Sequence, residues 1–239
     1  MRWLALVIVL AGCASSPPSQ FYTLSATAAP ELAPAARTEY RIVVGPATVP
    51  DAVDRPQLVV RMSENRVTLV EQARWAEPLS SAIPAVIAED LGRLLSSSGV
   101  VAYPQGSADF DYQVLIEVLR FDSVPDDAAT VEIAWTLRAL DGARRHGRTL
   151  VRERVDGAGY EALAAAHSRA LRAVSTEIAD AIRQRANSVD SLDRQPEQVA
   201  RAALRADIAR LGRIAFDLAP QAHHLHVDGA IEDLVVVQA

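Results

Sequence analysis

Two periodicities organise the chain. From Phe110 to Phe121 apolar and polar residues alternate. Phe110, Tyr112, Val114, Ile116 and Val118 fall on one side; Asp111, Gln113 and Glu117 fall on the other, joined by Leu115 and Leu119. Thr130 to Leu140 repeats the pattern with Val131, Ile133, Trp135 and Leu137, and Arg148 to Val155 makes a third such segment. A period of two marks a strand with one packed face, so three in succession predict an antiparallel meander. Shorter strands are predicted at Phe21–Leu24, Tyr40–Val44, Leu58–Met62, Arg66–Val70 and Val100–Tyr103. Gly45 and Pro46 end the second of these, and Ser63, Glu64 and Asn65 form a hairpin-length loop between the third and fourth.

The helical period appears elsewhere. Leu79, Ile83, Val86, Ile87, Leu91, Leu94 and Leu95 recur at three- and four-residue spacing across 79–96, with Pro84 offering a second starting point. Leu163, Ala170, Leu171, Val174, Ile178 and Ile182 make the apolar stripe of a helix over 160–186. A polar break is expected at 187–194, then a charged helical stretch over 195–216 with Val199, Ala203, Ile208 and Leu211. These elements predict an α+β fold: a mostly antiparallel sheet with two long amphipathic helices packed on one face, plus a C-terminal helical extension.

The first residues follow neither period. Met1 and Arg2 precede a nine-residue apolar run, Trp3–Ala11, and Leu10-Ala11-Gly12-Cys13 closes it. A charged start, a short apolar core and small residues before a cut describe a secretory signal peptide. Nine residues rise about 14 Å as a helix, well short of the ~30 Å hydrocarbon core. The cut site resembles a lipobox, which implies a diacylglycerol thioether on Cys13 and an acyl chain on its amine. Two or three acyl chains hold a protein stably on a bilayer. Ala14 resembles the outer-membrane sorting pattern of bacterial lipoproteins, so the expected location is the periplasmic face of the outer membrane. The expected division is a signal peptide at 1–12, a lipid-anchored tether at 13–19, a domain at 20–187 and a C-terminal extension of unknown role at 188–239.

Composition narrows the function classes. The chain has 30 acidic and 24 basic residues, a net charge of −6, and every basic residue is Arg. This balance argues against nucleic acid as a partner. Cys13 is the only cysteine, so the lipidated chain has no disulfide and relies on its core.

Candidate chemistry is sparse. The sequence has no GxSxG elbow, no HExxH, no CxxC and no glycine-rich phosphate loop. His146 and His167 have no evident partner. His223, His224 and His226 suit a soft metal but lack a carboxylate or thiol to complete a site. The expectation is therefore no enzyme, no metal and no cofactor beyond the covalent lipid. Asp109 with Asp111, and Asp126 with Asp127, read as strand-end and turn residues. Four residues are candidate partner contacts: Arg55, Arg61, Arg74 and Trp75. Each has a plain alternative. Arg55 can close a turn on Asp51 or Asp54. Arg61, with Arg66 and Arg74, can form a basic strip or simply be solvated. Trp75 beside Arg74 can be an interface anchor or a core plug.

Several stretches together resemble the PqiC/YmbA-type auxiliary lipoproteins of ABC-type and MCE-type lipid transport systems. They are Cys13 with SSPPSQFYTLSA, IVVGPATVPDAVDRPQLVVR, NRVTLVEQARWAEPL, and DYQVLIEVLRFD before VEIAWTL. The resemblance covers roughly residues 1–187. It implies an α/β periplasmic domain on the outer membrane that docks an MCE-domain protein of the inner membrane and its permease, and it leaves room for a homo-oligomeric ring. A reading from another class is an envelope-structural or assembly lipoprotein that binds an outer-membrane protein and moves no lipid.

Overall fold

The computed structural model describes residues 18–30, 40–106 and 109–217, with side chains described as far as residue 188. The predicted signal peptide, Cys13, His223, His224 and His226 lie outside the described residues. Contacts divide the chain into two compact units, residues 1–186 and 187–239.

The element order is β1 (Gln20–Tyr22), β2 (Ile42–Thr48), β3 (Gln57–Ser63), β4 (Arg66–Trp75), α1 (Leu79–Leu94), β5 (Val100–Ala102), β6 (Tyr112–Val124), β7 (Ala128–Ala139), β8 (Arg144–Arg154) and α2 (Gly159–Asp217). The strands form two sheets, ordered β1-β4-β3 and β5-β2-β6-β7-β8. The predicted meander β6-β7-β8 is antiparallel throughout. The α+β class holds, and the expectation of one mostly antiparallel sheet is met in part: the longest pairings are antiparallel, but there are two sheets and both are mixed. β1 runs parallel to β4, and β2 runs parallel to both β5 and β6. Alternation tells which side of a strand is buried, but it carries no information on a neighbour's direction.

Three features depart from expectation for physical reasons. β2 continues past Gly45 and Pro46, where it was expected to end. Its register to β6 slips between Val44 and Ala47, and Gly45 takes φ 111°. The irregularity accommodates a proline that has no N–H to give the ladder. β6 holds a second slip between Val118 and Arg120, so Val118 and Phe121 are both buried although they are three apart. The slip turns Leu119 and Arg120 outward. The helical assignment of α2 continues over 187–194, where a polar break was expected. That stretch contains no Gly or Pro, and its Asn, Ser and Asp residues only weaken a helix.

One core joins the sheets and helices. Leu79, Ile83, Ile87 and Leu91 of α1 pack with Leu171, Val174, Ile178 and Ile182 of α2 and with Val114, Ile116, Ile133 and Leu137 of the meander. The helices also meet directly, since the Arg183 guanidinium donates to the Leu94 carbonyl at the C-terminal end of α1 (2.6 Å). Proline at the N-cap position, Pro78, has no side-chain donor or acceptor. Asp54 accepts the Ser80 N–H instead (3.2 Å) and closes the first turn of α1 from outside.

An aspartate and a histidine are among the polar groups buried in this core. Asp90 is fully buried and accepts the Ala28 N–H at 2.8 Å; burial pushes its carboxyl above the usual range. Arg93, one turn on, donates to the Ala26 and Ala28 carbonyls at 2.9 and 3.3 Å. The Ser25 N–H reaches Ser168 of α2 at 3.1 Å. The segment after β1 is thereby fastened to both helices. The second group is His167. Its ring stacks on Phe121 at 3.9 Å, its Nε2 lies 2.8 Å from the Ser123 hydroxyl, and burial lowers its pKa to about 3.

Candidate functional site at the tether end of the domain

β6 extends from Tyr112 to Val124, about 40 Å at the rise of a strand. At the Tyr112 end lie Arg41, the Leu140–Asp141 turn and Arg185; Leu140 is 72% exposed, its N–H donates to the Asp111 carbonyl, and Arg185 pairs with Asp141. At the Val124 end lie β1, the end of β4, and the start of α2. The second end receives the chain from the predicted tether.

Backbone pairing builds the site there. The Trp75 N–H donates to the Pro56 carbonyl at 2.7 Å, and the Ala76 N–H donates to the Tyr22 carbonyl at 2.9 Å. Phe21, Arg74 and Gln57 stand in one row across β1, β4 and β3. Residues paired across strands share a face, so this row points one way and the Tyr22–Trp75 pair points the other. The outward row borders an open cleft of about 290 Å³, lined by Phe21, Asp54, Arg55, Pro56, Arg74, Trp75, Ala76, Glu77 and Pro78. A second cleft of about 380 Å³ flanks the other side of Phe21, between the β1 segment and the first turns of α2 at Glu161, Ala164 and Ala165. Phe21 stands between the two, 65% exposed.

The structure places three of the four predicted contact residues on the first cleft. Arg55 donates to the Asp51 carbonyl from Nη2 at 3.3 Å, and its Nε is buried without a hydrogen-bond partner. Asp54, the other turn partner foreseen for it, is engaged with Ser80. Arg74 donates to the Glu71 carbonyl from Nε at 3.1 Å and lies 3.8 Å from the Glu71 carboxylate. Trp75 lines the cleft with little of its surface; it is 6% exposed, and its ring packs edge-on against Phe121 and His167 at 6.1 and 6.2 Å. The core-plug alternative describes it.

Arg61 is elsewhere. It pairs with Asp122 of β6 at 2.7 Å and donates to the Glu64 carbonyl, bridging the two sheets; hydrogen bonding to Asp122 raises its pKa. Arg66 and Arg74 begin and nearly end β4, about 27 Å apart along the strand. The three arginines therefore do not form one strip.

The acidic pairs are also resolved. Asp109 and Asp111 both meet Arg41, whose hydrogen bonds hold the Asp111 carboxyl below the usual range. Asp127 takes both oxygens to Arg152, and Asp126 occupies the left-handed turn position at φ 59°. Among the described residues, no group of three or more His, Cys, Asp or Glu is placed to hold a metal ion, and no helix is long and apolar enough to cross a membrane. The Ser123–His167 contact is sealed in the core, with His167 Nδ1 unpartnered. With no third group on that nitrogen and no route for a substrate, the pair lacks the geometry of a nucleophile and its base.

Phe21 is the site residue that sequence reasoning passed over. Its signal was present: an aromatic residue on a very short strand, directly after a Pro/Ser tether, has little of the domain left to cover it.

A family model described as the ABC-type transport auxiliary lipoprotein component matches residues 22–179. The chain belongs to that family. Solved structures agree on the fold of this auxiliary lipoprotein. A crystal structure of a Xanthomonas campestris protein under the family label DUF330 is 22% identical, with a TM-score of 0.53, covering 67% of this chain and 93% of its own. A second crystal structure, of an uncharacterised protein, is 18% identical with a TM-score of 0.56, covering 69% and 99%. No curated protein matches the sequence significantly.

Proposed function

We propose that this auxiliary lipoprotein is a non-enzymatic accessory subunit of an MCE/ABC-type intermembrane lipid transport system. Cys13 carries the diacylglycerol and N-acyl lipid that hold the domain on the periplasmic face of the outer membrane. The domain docks the trans-periplasmic MCE-domain protein there. The observation that carries this reading is the family match over residues 22–179, which spans most of the folded domain. The fold is compatible with it: β1, which follows the tether, lies toward the Val124 end of β6, some 40 Å along that strand from the Tyr112 end.

A pull-down from detergent-solubilised membranes tests the proposal, with a tag after Ala239 and Cys13→Ala as control. Recovery of an MCE-domain protein by the lipidated form, and weaker recovery by the control, is the expected outcome. Recovery of outer-membrane proteins alone would instead favour the envelope-structural role.

A further inference from the structure

We propose that the tether end of the domain is a bilayer-contact face. The Phe21 ring enters the boundary between lipid headgroups and acyl chains, and the Arg55 and Arg74 guanidiniums meet lipid phosphates. This inference rests on the lipidation of Cys13 proposed above and goes beyond it, because a lipid tether by itself demands no contact between the folded domain and the membrane.

The first argument is reach. Phe21 lies eight residues along the chain from Cys13, a distance that spans at most about 28 Å when fully extended. The Phe21 face cannot stand far from the surface that holds the lipid, whereas Leu140 sits at the opposite end of the meander.

The second argument is the ring itself. Phe21 is 65% exposed, with an open cleft on each side, so it projects from the domain without support. An apolar side chain beside cationic ones is the pattern by which surface-bound proteins enter the headgroup boundary. Pro56 and Pro78 continue the apolar rim.

The third argument is the placement of charge. Arg74 shares the row and the face of Phe21, and Arg55 lines the same cleft. Arg55 has a single described hydrogen bond, from Nη2, and its Nε is buried, so the donors it can offer an external acceptor are the remaining N–H groups of Nη1 and Nη2. A guanidinium fork suits phosphate oxygens. Of the acids nearby, Asp54 is bonded to Ser80, Glu71 lies beside Arg74 and Gln57, Glu77 lines the first cleft and Glu161 lines the second. These carboxylates limit the net attraction. The ring supplies the contact, and the arginines hold it at the phosphate level.

The test uses the lipidated full-length protein. Because Cys13 is the only cysteine and its thiol is spent in the thioether, Thr23→Cys introduces a single free thiol beside an intact Phe21. The thiol is labelled with an environment-sensitive fluorophore, and the protein is reconstituted in phosphatidylethanolamine/phosphatidylglycerol vesicles containing spin-labelled lipid. Leu140→Cys serves as the remote control. The expected result is at least about threefold more quenching at 23 than at 140, as for a group in the headgroup boundary. Adding Phe21→Ser, or Arg55→Gln with Arg74→Gln, reduces that difference.

Equal quenching at both positions, with mass spectrometry confirming the lipid on Cys13, overturns the contact face and leaves the anchor standing. Absence of the lipid overturns the reading beneath it. Protection at position 23 that needs an added protein partner, and not lipid, also overturns the proposal.

Discussion

His167 shows how one side chain couples the core to solution conditions. Burial keeps it neutral, with a pKa of about 3 in the folded chain against about 6.5 when unfolded. A depressed folded-state pKa means that only the unfolded chain binds the proton between those values. The associated stability is complete above pH 6.5 and is lost as pH falls toward 3. Between pH 7 and 4.5 the loss is about 2.5 kcal/mol. Asp90 has the opposite sign, since burial raises its pKa and folding then favours its protonation. Comparison with His167→Gln, which retains Asp90 and a partner for Ser123, isolates the histidine. Urea denaturation at both pH values is expected to show the variant losing about 2.5 kcal/mol less than the wild type; equal losses would remove His167 as the cause. A second residue-scale prediction concerns Gly147, paired with Trp135 in the β7–β8 register. A Cβ there would lie 2.1 Å from Trp135 Cζ2, and the indole is held in place by its Nε1–H bond to Thr149. Gly147→Ala therefore displaces the ring, with an expected cost of about 1–3 kcal/mol in urea and a loss of near-ultraviolet circular dichroism.

At the scale of elements, the apolar stripes were legible because burial has to follow the helical period. Leu79, Ile83, Ile87 and Leu91 are all buried, and so are all six residues named on α2. The same stripes contain Asp90, three residues after Ile87, and His167, four from both Leu163 and Leu171. A polar residue at a core position was the visible signal of a buried partner, although the partners' identities depended on contacts far apart in sequence. Asp90→Ala leaves the Ala28 N–H buried without its acceptor, at a cost of about 1–3 kcal/mol. Hydrogen exchange is expected to show residues 24–30 losing protection beyond the global change, while β6 and β7 follow the global change alone. The β6 slip was not legible. An alternation read through Leu119 assigns the strand's last residues to the wrong faces, and only the pairing with Glu132 and Ile133 of β7 reveals the shift.

At the scale of the molecule, the fold class was legible, whereas strand direction and sheet membership were not. Three meander strands could be paired because short turns force antiparallel neighbours. The parallel pairing of β2 with β5 and β6 spans the β3–β4 hairpin and α1, a separation over which local sequence has no say. The site was partly legible for a similar reason. Arg55, Arg74 and Trp75 come from two separate stretches that β1 and the Pro56–Trp75 bond draw together, while Arg61 is diverted to Asp122 by the approach of β3 to β6.

The fastening of residues 25–28 has a mechanical consequence. A pull delivered through the N-terminal chain enters at Gln20 and passes first into the β1–β4 ladder. A pull directed along β1 loads its rungs together in shear, so they are not unzipped one at a time. What the ladder does not carry passes to Ser168, Asp90 and Arg93, and through them to both helices. Load on the N-terminal chain is thus shared beyond β1, because residues 25–28 hand part of it to both helices.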